Sequence, residues 1–575
     1  MFLLIDGIDS DNFLHSFAEK FLTFAQKISG MRLRLICLST IVMLLTACNS
    51  GKTTVDLIIR NAVIYTADSA FTLYTTMAVD RGKVVALGND ITINEVYQSD
   101  SVYDAGGKAV YPGFIDPHSH FYGYALMHQY ADLTRAKSLE DMISIVAKHQ
   151  EVAQSEWITG RGWDQNNWPG QQFPDNKLLN EHFPDNPVVL IRVDGHAVLV
   201  NQAAIDRSGL KVDSLPDPAQ AVIKRGKFTG IFKEGLADTF RNLVPSPKGK
   251  VLAELMKQSA MECHEKGLTM VTEAGADPWL IEFYDSLHKE DELMLSLYVM
   301  LNPTEENVNT YMKKGPVRKE KLNIHSVKLY ADGALGSRGA CMLKPYSDDP
   351  GNYGIMTITP EELGKWCVTA YDNGYQVNTH AIGDSANRMV LDVYSNYLLP
   401  ENDLRWRIEH AQVIHPDDFK KFGEFAIIPS VQATHATSDM GWAAQRIGKR
   451  VRYAYAYREL MKQNGWIPNG TDFPIENISP LYTFYAAVDR KNLKGYPPRG
   501  WQRENALTGQ EALRSITIWA AKACFEDDRR GSLEVGKNAD FVILDKDIMQ
   551  IKPREILKTK VIRTYIDGKP VYLKD

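Results

Sequence analysis

The sequence predicts an α/β protein. It would consist of a (β/α)8 TIM-type barrel, a small composite β-sandwich domain drawn from both chain ends, and an inserted subdomain after the first barrel strand. Three observations predict this. Eight strand-like runs alternate with amphipathic stretches between residues 112 and 525, the pattern of repeated βαβ units. Short β-rich segments flank that region on both sides. A long interval, 120 to 268, separates the first run from the second, more than a bare βα connection needs.

In chain order, residues 1–30 read as an upstream extension preceding a plausible start at Met31. An amphipathic helix is the alternative there, because Phe13, Phe17, Phe21 and Phe24 fall at helical spacing. Residues 31–48 read as a signal peptide: Arg32 and Arg34, an apolar run from Leu35 to Leu45, then Thr46-Ala47-Cys48. The run is short for a membrane span. The segment resembles a bacterial lipoprotein signal. That resemblance implies lipidation at Cys48 and a membrane-anchored protein of the bacterial cell envelope, outside the cytoplasm.

Residues 49–111 supply the N-terminal part of the β-sandwich, with turn chemistry at Asp80-Arg81-Gly82-Lys83 and Gly106-Gly107. Residues 112–525 supply the barrel. Its eight runs are 113–120, 268–275, 293–301, 325–333, 375–383, 404–412, 426–435 and 466–474, the number a closed barrel needs. The insert covers about residues 130–260 and is expected over the barrel mouth. Residues 526–575 complete the sandwich, with Asp567-Gly568 as a tight hairpin turn.

Composition excludes several classes. A net charge of −6 gives no basic field for nucleic acid. Ten Trp and 26 Tyr imply filled cores, not a disordered chain. None of the six cysteines forms a C-x-x-C pair, so a zinc ribbon or dithiol motif is not supported. Cys263, Cys341, Cys367 and Cys524 read as free thiols, although an oxidising compartment leaves a disulfide open. No G-x-S-x-G elbow, P-loop or dinucleotide fingerprint appears.

The chemistry-bearing residues sit at the ends of the barrel runs. His118 and His120 are two apart, so a strand points both imidazoles the same way, where they can share a divalent ion. His380 and His410 end consecutive runs, Asp472 ends the last, and Lys328 lies in the fourth. Singly each has a bland reading, a core histidine or, for Lys328, an ion pair with Asp332. Together they would converge on one barrel mouth.

The stretches PGFIDPHSH, GRGWDQNNW, GHAVLVNQAA, VKLYADGALGSR, NTHAIGD, RIEHAQVIHP, SVQATHATSD and NGTDFPIE resemble the amidohydrolase superfamily, in particular the branch of N-substituted formamide deformylase. The resemblance runs from about residue 55 to the end. It implies one or two divalent metal ions, with zinc expected, held by His118, His120, Lys328, His380, His410 and Asp472. It also implies a carbamylated Lys328 bridging two metals, and Asp472 as the catalytic proton carrier. The implied reaction is hydrolysis of a non-peptide C–N bond, in an amide, an N-formyl or N-acyl compound or a cyclic amide, by metal-activated water.

Trp163, Asp164 and Trp168 could wall the substrate pocket or simply pack the insert. His196 and Asn201 are candidates for the substrate loop. Arg338 could hold a substrate carboxylate or pin its loop to an acid. His435 is expected to face substrate, not metal. The partners expected are a small-molecule substrate and a membrane through the lipid anchor, with no nucleic acid; a homo-oligomer is compatible. Two other readings stay open: a deaminase, lactonase or phosphotriesterase using the same site, and a non-enzymatic ligand-binding lipoprotein that keeps the fold.

Overall fold

Seven of the eight barrel runs form one parallel sheet in a computed structural model. The structure describes residues 51–153, 155–165, 168–193, 197–211, 214–215, 220–224 and 227–574. The expected extension, the signal peptide with Cys48, and His196 lie outside the described residues. The strands are β1 (Phe114–Asp116), β2 (Leu268–Ala276), β3 (Ser296–Leu301), β4 (Leu322–Tyr330), β5 (Gln376–Ala381), β6 (Arg407–His410) and β7 (Ile428–Ser430), adjacent in that order. A short antiparallel strand, Val317–Arg318, pairs with β4. All six residues of β3 are buried. A parallel sheet covered on both faces demands such continuous apolar runs, without alternation.

The eighth run, 466–474, forms no ladder. It makes a single parallel bridge, Val431 to Asn469, and Gly470 N donates to Val431 O at 2.9 Å. On its other side Asp472 N donates to His118 O, and His120 N donates to Phe473 O, both at 2.8 Å. The segment therefore touches β7 and the chain just after β1. Pro468 and Pro474 carry no N–H, which limits the ladder the run can build. A Cβ at Gly470 would lie 2.6 Å from Asp116 Oδ1 and 3.0 Å from His118 N, so only glycine lets the segment lie this close.

Both chain ends meet in a mixed six-stranded sheet. Its order is Lys569–Leu573, Val561–Ile566, Phe541–Leu544, Ala109–Pro112, Val63–Tyr65 and Leu73–Tyr74. A four-stranded sheet, with Leu57–Arg60 and Thr76–Asp80 at its centre, shares an apolar cluster with it: Ile59, Val79, Val110, Phe541 and Ile543 among others. Asp567 and Gly568 have φ of 49° and 71°, the left-handed pair that a two-residue hairpin turn needs.

The interval after β1 contains its own six-stranded sheet. The order is Ala131–Asp132, Ile158–Trp163, Val188–Arg192, Ala197–Val200, Lys227–Lys233 and Ala221–Lys224. Val188 and Leu190 enter one apolar cluster, with Trp163 and Trp168. Val189 and Ile191 enter another, with Trp157 and Phe232. The twofold alternation of a strand thus fills a core on each face. Among the described residues no helix is long and apolar enough to cross a membrane. Cys263, Cys341, Cys367 and Cys524 are free thiols.

Candidate metal centre

Strand register brings the site residues to one level. Tyr330 pairs with His380, His380 with Glu409, and Ala381 with His410 across β4, β5 and β6. Two residues there have left-handed backbones that are uncommon outside glycine: His410 at φ 72° and Asp472 at φ 63°. Such strain clusters at functional sites. Here it turns the imidazole and the carboxylate toward a common centre.

Two overlapping groups of ligand atoms result. His118, His120 and Asp472 form one; His410, His435 and Asp472 form the other; within each, the atoms lie within 4.8 Å of one another. Asp472 Oδ1 lies 3.5 Å from His118 Nε2 and 3.3 Å from His120 Nε2, and its Oδ2 lies 3.6 Å from His435 Nε2. His380 stands beside His410, with ring centroids 4.5 Å apart. Lys328 is buried, with Nζ 3.2 Å from His118 Nε2. All six expected ligands are therefore together. His435, expected to face substrate, joins them: the chain leaves β7 at Ser430 and turns helical at Ala433, so His435 approaches Asp472 from a helix, not from a strand end.

The electrostatics fit a cation. Burial, and then the charge of Lys328, holds His118 well below the usual imidazole range, so its ring is neutral. Burial and the neighbouring imidazoles of His380 and His118 do the same to His410. Burial pulls Lys328 down to about 8, against the opposing pull of Glu409 and Asp472. Burial alone would raise Asp472; the imidazole of His120, then those of His118 and His435, reverse this and hold it at about 2. Three buried atoms, His380 Nε2, His435 Nε2 and Asp472 Oδ1, have no hydrogen-bond partner. Imidazole nitrogens and an ionised carboxylate left without partners are costly unless a cation meets them. Imidazole and carboxylate donors suit a divalent ion such as zinc.

The chain belongs to the amidohydrolase family. Residues 101–572 match it. Protein LONG AFTER FAR-RED 3 of Arabidopsis thaliana is 30% identical over 542 residues, 90% of this chain and 91% of that protein. The N-substituted formamide deformylase of Arthrobacter pascens is 26% identical over 550 residues, 89% of this chain and 97% of that one. An uncharacterized metal-dependent hydrolase from Pyrococcus horikoshii has a solved structure with a TM-score of 0.71 and 28% identity, covering 86% of this chain and 99% of the other.

The less central sequence candidates fall elsewhere in this amidohydrolase. Trp163 is wholly buried in the inserted sheet, with Nε1 donating to Leu190 O at 2.8 Å. Trp168 Nε1 donates to Ala136 O at 2.8 Å. Both indoles pack the insert. Asp164 accepts from Arg192 Nη2 at 2.8 Å. Asn201 caps the helix Gln202–Ser208, accepting from Ala204 N at 3.0 Å. Arg338 pairs with Asp348, with Nε and Nη2 at 3.1 and 3.0 Å from its two oxygens. Of the two readings left open for Arg338, the structure shows the pinned loop.

Several buried residues escaped the sequence reading. Glu409 and Arg407 pair beneath His118. Gln432 Oε1 accepts from His410 Nδ1 at 2.7 Å. Asp116 accepts from His118 N, Thr471 N and Thr471 Oγ1 at 3.1, 3.1 and 2.6 Å, which ties the end of β1 to the eighth run. Asp332 does not pair with Lys328; it accepts backbone N–H groups of Cys341, Ile382 and Gly383. For Glu409 a signal existed in the stretch RIEH, but strand alternation sets neighbours on opposite faces, and the left-handed His410 breaks that rule.

Proposed function

We propose that this chain hydrolyses a non-peptide C–N bond in a small-molecule substrate, an amide, an N-formyl or N-acyl compound or a cyclic amide, with one or two divalent ions, preferentially zinc. One observation carries this: two histidine groups share Asp472, and three of the buried atoms there make no close hydrogen bond. Family membership and the name of the Arthrobacter relative support the choice of bond. In this reading the eighth run closes the seven-stranded parallel sheet into a barrel, the terminal sheets form a sandwich, and the insert at about residues 130–260 borders the mouth.

A divalent cation bound there supplies Lewis acidity and makes water acidic enough to lose a proton near neutral pH. Asp472 is ionised and takes that proton as the water oxygen attacks the carbonyl carbon. It returns the proton to the nitrogen as the C–N bond breaks, which releases an amine. Lys328, as a carbamate formed with CO₂, would become an anion suited to bridging two ions; as an ammonium it would repel them. Intact-mass measurement of the loaded protein, which would show one added CO₂, tests that step.

The central test uses the chain without its first 48 residues. Bound metal is measured, and N-formyl, N-acyl and cyclic amides are screened with and without chelator, beside lactones, phosphotriesters and aminopurines. Chelator-sensitive turnover of an amide is expected. Turnover confined to the other classes would replace the reading, and metal-free protein without any turnover would favour a binding lipoprotein.

Residues 31–48 support lipidation at Cys48 and attachment outside the cytoplasm of a bacterial cell. Cys48→Ser is expected to move the protein from the membrane fraction to the soluble one. Unchanged fractionation would end that proposal.

A further inference from the structure

Arg407 and Glu409 are wholly buried and two residues apart in β6, so the strand points both to one side. Arg407 Nε donates to Glu409 Oε1 at 2.6 Å, and its Nη2 donates to the carbonyl of Pro117 at 2.7 Å. Pro117 directly precedes His118. The other carboxylate oxygen, Oε2, meets His118 Nδ1. One buried unit therefore grips His118 at both the backbone before it and the ring.

The partners fix the tautomer. A carboxylate can only accept, so His118 Nδ1 carries the proton; an ammonium can only donate, so Nε2, 3.2 Å from Lys328 Nζ, is a lone pair. That same Nε2 faces Asp472 Oδ1 at 3.5 Å. His410 has a different support, since its Nδ1 meets the neutral amide oxygen of Gln432 at 2.7 Å.

We propose that the Arg407–Glu409 pair is the positioning device of His118: it selects the Nδ1–H tautomer, holds the ring, and strengthens Nε2 as a donor to a cation shared with His120 and Asp472. The group around His118 is then the tighter of the two, because a carboxylate behind an imidazole raises its basicity more than an amide does. Arg407 gives the buried Glu409 side chain a hydrogen-bonded partner, so it is not left unpaired. The cation belongs to the function proposed above; the tautomer is a property of the metal-free chain.

The test titrates Zn²⁺ alone into metal-free full-length protein, in competition with a chelator. Glu409→Gln is expected to weaken the tighter site about 10- to 100-fold and to leave the weaker one unchanged, whereas Gln432→Leu changes only the weaker one. Wild-type affinity in Glu409→Gln would overturn the proposal. Because that variant strands Arg407, the double variant Arg407→Met with Glu409→Gln removes both charges, and it must show the same loss while its metal-free form melts normally. Independently, ¹⁵N shifts of the His118 ring in metal-free wild type must report the Nδ1–H tautomer; the Nε2–H form would overturn the proposal even if neither variant folds. Failure of the hydrolase reading looks different: Zn²⁺ binding follows this pattern, yet the loaded wild type turns over no amide.

Discussion

The inserted sheet and the barrel mouth are both rich in large, polar-tipped side chains, and they treat them in opposite ways. In the insert two buried indoles have their N–H groups satisfied: Trp163 by Leu190 O and Trp168 by Ala136 O. At the mouth His380, His435 and Asp472 keep buried atoms without partners, and His410 and Asp472 hold left-handed backbones. The first region is complete in itself. The second is costly as it stands and becomes favourable only with something added. The difference separates residues whose polar atoms are met within the fold from residues grouped as a candidate metal centre.

Substitution can break that contrast. The largest effect belongs to Asp472→Asn, which keeps the shape but loses the proposed proton carrier; turnover of an amide found in the screen should fall about 10²- to 10⁴-fold, and bound metal should fall as well, because both groups share that carboxylate. Full rate would remove Asp472 from the chemistry. Trp163→Ala should do the reverse, costing about 3–5 kcal/mol of stability in urea unfolding while bound metal persists in the folded fraction. Loss of metal without loss of stability would move Trp163 to the site. Adding Zn²⁺ to metal-free protein at about 100 times its Kd should raise stability by about 2.7 kcal/mol; no shift in melting would mean the orphaned atoms are not a cation site.

Smaller effects sharpen the picture away from the mouth. Burial pulls His264, His288 and His325 from 6.5 to about 4. Between those values the unfolded chain binds protons that the folded chain refuses, so stability falls as pH drops through the window. His288→Leu should flatten that slope, measured as urea midpoints at several pH values; an unchanged slope would show that His288 is not part of it. Smallest of all, Arg338→Ala removes a partly exposed pair with Asp348 and should leave melting nearly unchanged. A raised KM with unaltered kcat would restore the substrate-carboxylate reading for Arg338.

Much of this was legible because it rests on short-range patterns. Each of the seven observed parallel strands falls in or overlaps an expected run, since buried apolar runs bounded by turn residues are local signals. The hairpin at Asp567-Gly568 was legible for the same reason. The six candidate residues stood out by their places in and at the ends of the barrel runs, and the family resemblance supplied their expected roles. What escaped depends on departures from regular backbone. The eighth run holds Pro468, Gly470 and Pro474 and closes by single hydrogen bonds, so its period promised a strand that the structure does not form. His435 comes closer to Asp472 than a strand end would bring it, because the chain turns helical two residues before its apolar run ends. Glu409 was hidden by its adjacency to His410, which alternation would place on the far side.

The six-stranded sheet carries a consequence for synthesis. Its central seam joins Ala109–Pro112 to Phe541–Leu544, with three strands from the early chain on one side and three from the late chain on the other. While the ribosome is still translating the barrel, the early half waits with an open edge, and open edges invite pairing with other chains. A product cut short anywhere before Phe541 keeps that edge for good, however well its barrel has folded. Completion of the polypeptide is thus recorded in whether the edge at Ala109–Pro112 is covered.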